Sequence, residues 1–141
     1  GRDAFQIPEH EKRSLYGYVE QAFHMVPGTV KEQITLYDPS ITMEDVRAAA
    51  QMTGLSDTIM SLENGYDTPC SDEIFSQGQW QLLSIARAAK PKLLLLDEIT
   101  ANLDAQTEKE VLQALMRVSE NRTVISISHR VNATTGRVIQ I

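Results

Sequence analysis

A single cysteine, Cys70, rules out an internal disulfide framework. One thiol in a chain of ordinary composition points to a reducing compartment. Long apolar runs are also missing. No stretch approaches the roughly 20 residues that a bilayer-spanning helix requires, and no secretory or transit segment opens the chain, so any membrane association is expected to come through a partner. Positive charge is scarce. Thirteen Lys and Arg face 19 Asp and Glu, a formal charge of −6, which argues against a nucleic-acid or anionic-lipid surface, since such surfaces need a basic patch. No internal repeat or low-complexity segment is visible. What remains is 141 residues, 42% hydrophobic and 23% charged, enough for one modest globular core.

The most informative stretch is Leu93 to Leu96, which follows Pro91 and runs directly into Asp97 and Glu98. An unbroken apolar run of this length reads as a central parallel strand covered on both faces, and ligands of open α/β sheets gather beyond the carboxyl ends of such strands. Two adjacent carboxylates there suit nucleotide hydrolysis, one holding hydrated Mg²⁺ and the other orienting or deprotonating a water. The plainer reading is a core strand ending in solvated acids, and the pattern alone does not separate the two.

Upstream, Phe75, Ser76, Gln77, Gly78, Gln79, Trp80 and Gln81 precede a helical run from Leu82 to Ala89. Ser76 is a good N-cap and Gln79 stands three residues on, which completes a capping box. Gly78 lies in the first turn without an evident structural use. It costs about 1 kcal/mol relative to Ala in a helix interior and lets an anion such as phosphate approach the free amides. Capping explains Ser76 and Gln79 as well as ligand binding does.

Downstream, Ala101, Asn102, Leu103 and Asp104 form a turn into an amphipathic helix from Ala105 to Val118, with Asp104 as its N-cap. A second apolar strand, Thr123 to Ser128, ends in His129 and Arg130. A lone histidine is more often a hydrogen-bonded structural residue than a catalytic one. The right-handed βαβ crossover nevertheless makes the two strands neighbours or near neighbours, so His129 can share a cleft with Asp97 and Glu98.

Taken in this order, the motifs resemble the ATP-binding cassette (ABC) family. Ser76 to Gln81 resembles its signature motif, Leu93 to Glu98 its Walker B strand, Ala101 to Asp104 its D-loop, His129 its switch histidine, and Tyr18 to Gln21 its Q-loop. Gly28, Thr29 and Val30 to Ile34, with Gly65 to Thr68, are similar to the exporter branch. The resemblance covers essentially the whole chain. It implies an α/β fold, an incomplete P-loop NTPase core with a parallel sheet plus an α-helical subdomain. Residues 1–21 belong to the core up to the Q-loop, 22–90 to the helical subdomain, and 91–141 to the α/β core.

What the resemblance implies chemically is an ATP-hydrolysing nucleotide-binding domain of an exporter, with ATP and Mg²⁺ as cofactors, at the cytoplasmic face of the cell membrane. In the family, two nucleotide-binding domains close over ATP. Ser76, Gln77, Gly78 and Gln79 then complete the site of the second domain, identical or not, and Asp104 lines that opposite site. Asp97 and Gln21 hold the metal, Glu98 is the general base, Gln21 senses metal and water, and His129 contacts the γ-phosphate. The loop after Gln21, with Phe23, His24 and Met25, receives the transmembrane domain, although Phe23, Met25 and Val26 are equally readable as core. No nucleic-acid partner is implied. The alternatives are a soluble ABC-type ATPase not linked to transport and an inactive interaction fragment.

Departures accompany the match. A P-loop ends in Gly-Lys-Ser/Thr, whose amides and lysine hold the β- and γ-phosphates, and none of the seven glycines here precedes a lysine. The expectation is a fragment whose Walker A lies upstream of Gly1. Gln77 stands where the commonest signature has glycine, Phe75 where it has leucine, and the linker from Ala89 to Pro91 is about two residues short. Elsewhere Pro8 and Glu9 to Arg13 begin a short helix or turn, Thr42 opens a helix closing at Gly54, and Ser56 caps another ending near Asn64 and Gly65.

Overall fold

The structure, a computed structural model, describes residues 6–20, 22–97, 99 and 102–127. Helix α1 (Glu9–Leu15) leads into strand β1 (Tyr16–Val19), followed by helices α2 (Val30–Thr35), α3 (Met43–Thr53), α4 (Ser56–Met60) and a 3-10 turn at Gly65–Asp67. Helix α5 (Gln77–Ala88), strand β2 (Leu93–Asp97), helix α6 (Ala105–Ser119) and strand β3 (Thr123–Ile127) complete the order. The three strands form one parallel sheet with β2 in the centre. Tyr16 pairs with Leu93 and Leu93 with Thr123, and the second register runs on to Asp97 opposite Ile127.

The four leucines of β2 are not all enclosed. Leu94 and Leu96 are buried while Leu93 and Leu95 are only half-buried. On the side shared by Leu95, Tyr18 is 45% and Ile125 52% exposed, so the expected cover on both faces holds for one face of the described residues. The reason is topological: α5 packs on β1 from the Leu94 side, and among the described residues the Leu95 side keeps Tyr18 and Ile125 exposed. A run of leucines signals a central strand, but the partner of each face is set by chain that lies far away in sequence.

Helix α5 is the axle of the molecule. Gln81 to Ala86 are all buried, and the helix contacts α2, α3, α6 and β1, as a helix apolar on most faces must. Around it Val30, Val46, Leu55, Ile59, Leu83, Ile85, Leu94, Val111 and Val118 form one continuous core. Two segments that resemble the exporter branch meet in space. Thr29 bridges Pro69 antiparallel, with Val30 N donating to Thr68 O at 3.0 Å and Cys70 N to Gly28 O at 2.9 Å. Burial beside this bridge pushes the Cys70 thiol up to about 11, which makes it a poor nucleophile.

Helix starts follow the sequence with one exception. Thr29 with Glu32, Thr42 with Asp45, and Ser76 with Gln79 form capping boxes, and Gly54 closes α3 in the left-handed region at φ 79°. Ser56 is not a cap. The N-cap of α4 is Leu55, buried and in helical conformation, and α4 ends at Met60, ahead of Asn64. Insertion of Leu55 into the core decides where that helix begins, at the expense of the hydroxyl's capping preference.

Three caps carry carboxylates held below their ordinary values: Glu32 below 4.5 chiefly by the Thr29 hydroxyl, Asp45 below 3.8 by the Thr42 amide, and Asp104 below 3.8 by the Thr107 amide. A lowered folded-state pKa contributes stability that is complete above the unfolded value and lost as pH falls through the folded one. The urea midpoint is therefore expected to stay flat from neutral to about pH 5 and then to fall as the carboxylates protonate. Asp45→Asn should flatten that acid limb. An acid limb identical to that of the unaltered protein would refute the role of this cap.

Candidate functional site

At the amino end of α5, Ser76 takes extended backbone at φ −69° and ψ 165°. Its Oγ accepts from Gln79 N at 3.2 Å, and Gln79 Oε1 accepts from Ser76 N at 2.9 Å. Both side chains are thus employed in capping. The amides of Gln77 and Gly78 have no carbonyl one turn earlier to bond, which is the condition of any helix start. Gln77 is exposed and Gly78 half-buried.

Gly78 does have a structural use, contrary to the expectation from sequence. A Cβ at this position would lie 2.3 Å from Thr107 Cγ2 in the first turn of α6. Helices α5 and α6 therefore touch at their amino ends. Asp104 caps α6: its Oδ1 accepts from Thr107 N at 2.9 Å and its Oδ2 from Thr107 Oγ1 at 2.7 Å. The fold thus brings Gly78 and Asp104 together through one threonine, although the two stand on separate helices.

Asp97 closes β2 at the carboxyl edge of the sheet, half-buried and paired in register with Ile127. Tyr18, on the same face of neighbouring β1, donates its hydroxyl to Asp97 Oδ2 at 3.1 Å, and the accepting carboxylate raises the phenol above 10. Glu98, Gln21 and His129 lie outside the described residues. In sequence they follow the ends of β2, β1 and β3 within two residues. Next to Gln21, the carbonyl of Glu20 accepts from Gln81 Nε2 of α5 at 3.3 Å.

The loop after residue 21 rests on a network that the sequence reading passed over. Buried Gln33 accepts from Val26 N at 2.9 Å and donates to Val26 O at 2.7 Å. Arg87, in the last turn of α5, donates to Gln33 O at 2.6 Å and His24 O at 2.9 Å, and its guanidinium lies 4.1 Å from the Phe23 ring centroid. Phe23 stacks on Trp80 at 4.8 Å, and Trp80 meets Phe75 edge-on at 5.0 Å. The two readings of this loop divide by residue: Phe23 packs inward, while Met25 is 40% exposed and His24 faces Glu20 at the surface. A hollow of about 340 Å³ lies between the loop and the start of α5, lined by Phe23, Met25, Asp72, Phe75, Gln77 and Trp80 among others.

One signal in the chain marks this network: Gln33 occupies an apolar position of α2 beside Val30 and Ile34, and Arg87 interrupts the buried run of α5. Such polar residues must be hydrogen-bonded where they are buried. Gln33→Leu strands the backbone groups of Val26 and is expected to cost about 1–3 kcal/mol. Thermal unfolding checks this, and a midpoint equal to that of the unaltered protein would refute it.

The sequence profile described as ABC transporter matches residues 1–101. The chain belongs to the ABC transporter family. Members of this family bind ATP. This ABC chain is 42% identical over 138 residues to the mycobactin import ATP-binding/permease protein of Mycolicibacterium smegmatis, covering 96% of the chain and 16% of that protein. It is 40% identical over 134 residues to a putative ABC transporter ATP-binding protein of Streptococcus pneumoniae, covering 92% and 23%. It is 43% identical over 127 residues to an ABC multidrug transporter of Trichophyton rubrum, covering 85% and 9%. The chain therefore spans less than a quarter of the length of each of these relatives. Among the described residues no helix is long and apolar enough to cross a membrane.

Asp97 suits magnesium by its chemistry. It offers hard oxygen at the carboxyl edge of the sheet, the donor type that magnesium takes.

Proposed function

We propose that this chain is part of the ATP-hydrolysing nucleotide-binding domain of an exporter-type ABC transporter. The observation that carries the reading is Asp97 at the carboxyl end of the central strand, paired with Ile127 two residues ahead of His129 in sequence. It is supported by capped α5 and α6 amino ends meeting beside one another and by permease and multidrug relatives.

In this reading residues 1–21 and 91–141 belong to the α/β core and 22–90 to a helical subdomain. Bound Mg²⁺ supplies charge neutralisation at the triphosphate. Asp97 and Gln21 hold it, and Tyr18 restrains one Asp97 oxygen. Glu98 takes the proton of the attacking water. His129 donates to the γ-phosphate. Ser76, Gln77, Gly78 and Gln79, with Asp104, close over the nucleotide of a second domain. The transmembrane partner docks on the loop after Gln21, where exposed Met25 stands beside a hollow lined by both aromatic and polar side chains.

Because no glycine precedes a lysine, the 141-residue chain alone is proposed to be inactive and unable to grip ATP. Calorimetry should show no micromolar MgATP binding to it, whereas the whole polypeptide in lipid vesicles should hydrolyse ATP. Micromolar affinity in the isolated chain, or no hydrolysis by the whole protein, overturns the proposal.

A further inference from the structure

Gly78 adopts ordinary helical backbone without positive φ, so conformation does not require glycine there. Space does. The Thr107 methyl occupies the place of a Cβ at 2.3 Å, whereas Thr107 Cβ and Oγ1 both stand at 3.6 Å, ordinary contact. Nor is that methyl free to turn. Thr107 Oγ1 is committed to Asp104 Oδ2 at 2.7 Å while the amide of the same residue bonds Asp104 Oδ1 at 2.9 Å. A threonine whose hydroxyl direction is set has its methyl direction set too, by the fixed configuration of its branched Cβ. The bond that orients Asp104 therefore dictates that residue 78 carries no side chain.

We propose that Thr107 is a positioning residue that locks Gly78 and Asp104 into one rigid edge, so that the two parts meant to complete a neighbouring nucleotide site move as a unit. The proposal deepens the function given above and rests on its reading of Ser76 to Gln79 and Asp104 as that edge. It differs from the view that Gly78 serves only to admit a phosphate to the backbone. A side-chain hydroxyl on α6 and a missing Cβ on α5 form one device.

The test is a set of variants in the whole protein, read by thermal unfolding and by ATP hydrolysis. Gly78→Ala is expected to lower the unfolding midpoint by several degrees and to reduce hydrolysis about tenfold or more. Combining it with Thr107→Ser, which deletes only the methyl and keeps the hydroxyl on Asp104, should restore both most of the way. Thr107→Val keeps the shape and loses the hydroxyl. It should lower the midpoint modestly, through loss of the bond to Asp104, and lower hydrolysis about tenfold. A double variant no more stable than Gly78→Ala overturns the contact. A double variant restored in stability but not in hydrolysis, or an unimpaired Thr107→Val, overturns the positioning role. Absence of ATP hydrolysis in the unaltered protein strikes the proposed function instead, since the stability readings report the contact either way.

Discussion

Glu98→Gln in the whole protein is expected to lower ATP hydrolysis by about 10²–10⁴-fold, the range for loss of a general base, while ATP-driven association of two nucleotide-binding domains persists. Position and charge set this expectation. Asp97 ends the central strand opposite Ile127, and its Oδ2 accepts from the Tyr18 hydroxyl; in the proposed function it holds the metal and leaves proton abstraction to Glu98. Glutamine retains the size and polarity of glutamate but takes up no proton. ATP turnover in steady state and size-exclusion chromatography with MgATP check the two halves of this expectation. Unchanged turnover would remove Glu98 from the chemistry, and loss of association would show that it acts in binding.

Gly17→Ala is expected to cost about 3 kcal/mol or more, the upper range for overpacking. A Cβ at residue 17 would stand 2.1 Å from Ala88 O, a backbone atom at the carboxyl end of α5. No rotamer change relieves such an overlap. Either β1 leaves its register with Leu94 or α5 shifts, and α5 also packs on α2, α3 and α6. Gly54 is the natural comparison. It needs glycine for its left-handed backbone at φ 79°, yet a Cβ there meets only Arg117 Nη1 at 3.6 Å, so Gly54→Ala should cost about 1–2 kcal/mol. Thermal unfolding of both variants ranks them. Equal losses would mean that the approach of β1 to α5 is looser than the structure shows.

The two glycines also show where reading along the chain stops. Gly54 follows a periodic helix and is recognisable as its closing residue. Gly17 and Gly78 answer to groups 71 and 29 residues away, and nothing local names Ala88 or Thr107 as the neighbour. Caps behave like Gly54. Thr42, Ser76 and Asp104 bond amides three residues on, a distance that spacing reveals. Ser56 departs because burial of Leu55 outweighs the hydroxyl's preference. Of the nine candidate site residues, Ser76, Gln77, Gly78, Gln79, Asp97 and Asp104 fall within the described residues, and Gln21, Glu98 and His129 outside them.

Short-range pattern was enough for the family, the helix starts other than that of α4, the central leucine strand and the order of motifs, because capping, apolar periodicity and motif spacing are properties of neighbouring residues. Long-range packing alone settled which face of the sheet α5 covers, the hold of Gln33 and Arg87 on the loop after residue 21, and the meeting of Gly78 with Thr107. Those contacts join side chains tens of residues apart, and their geometry comes into being only when helices and strands close around a common core.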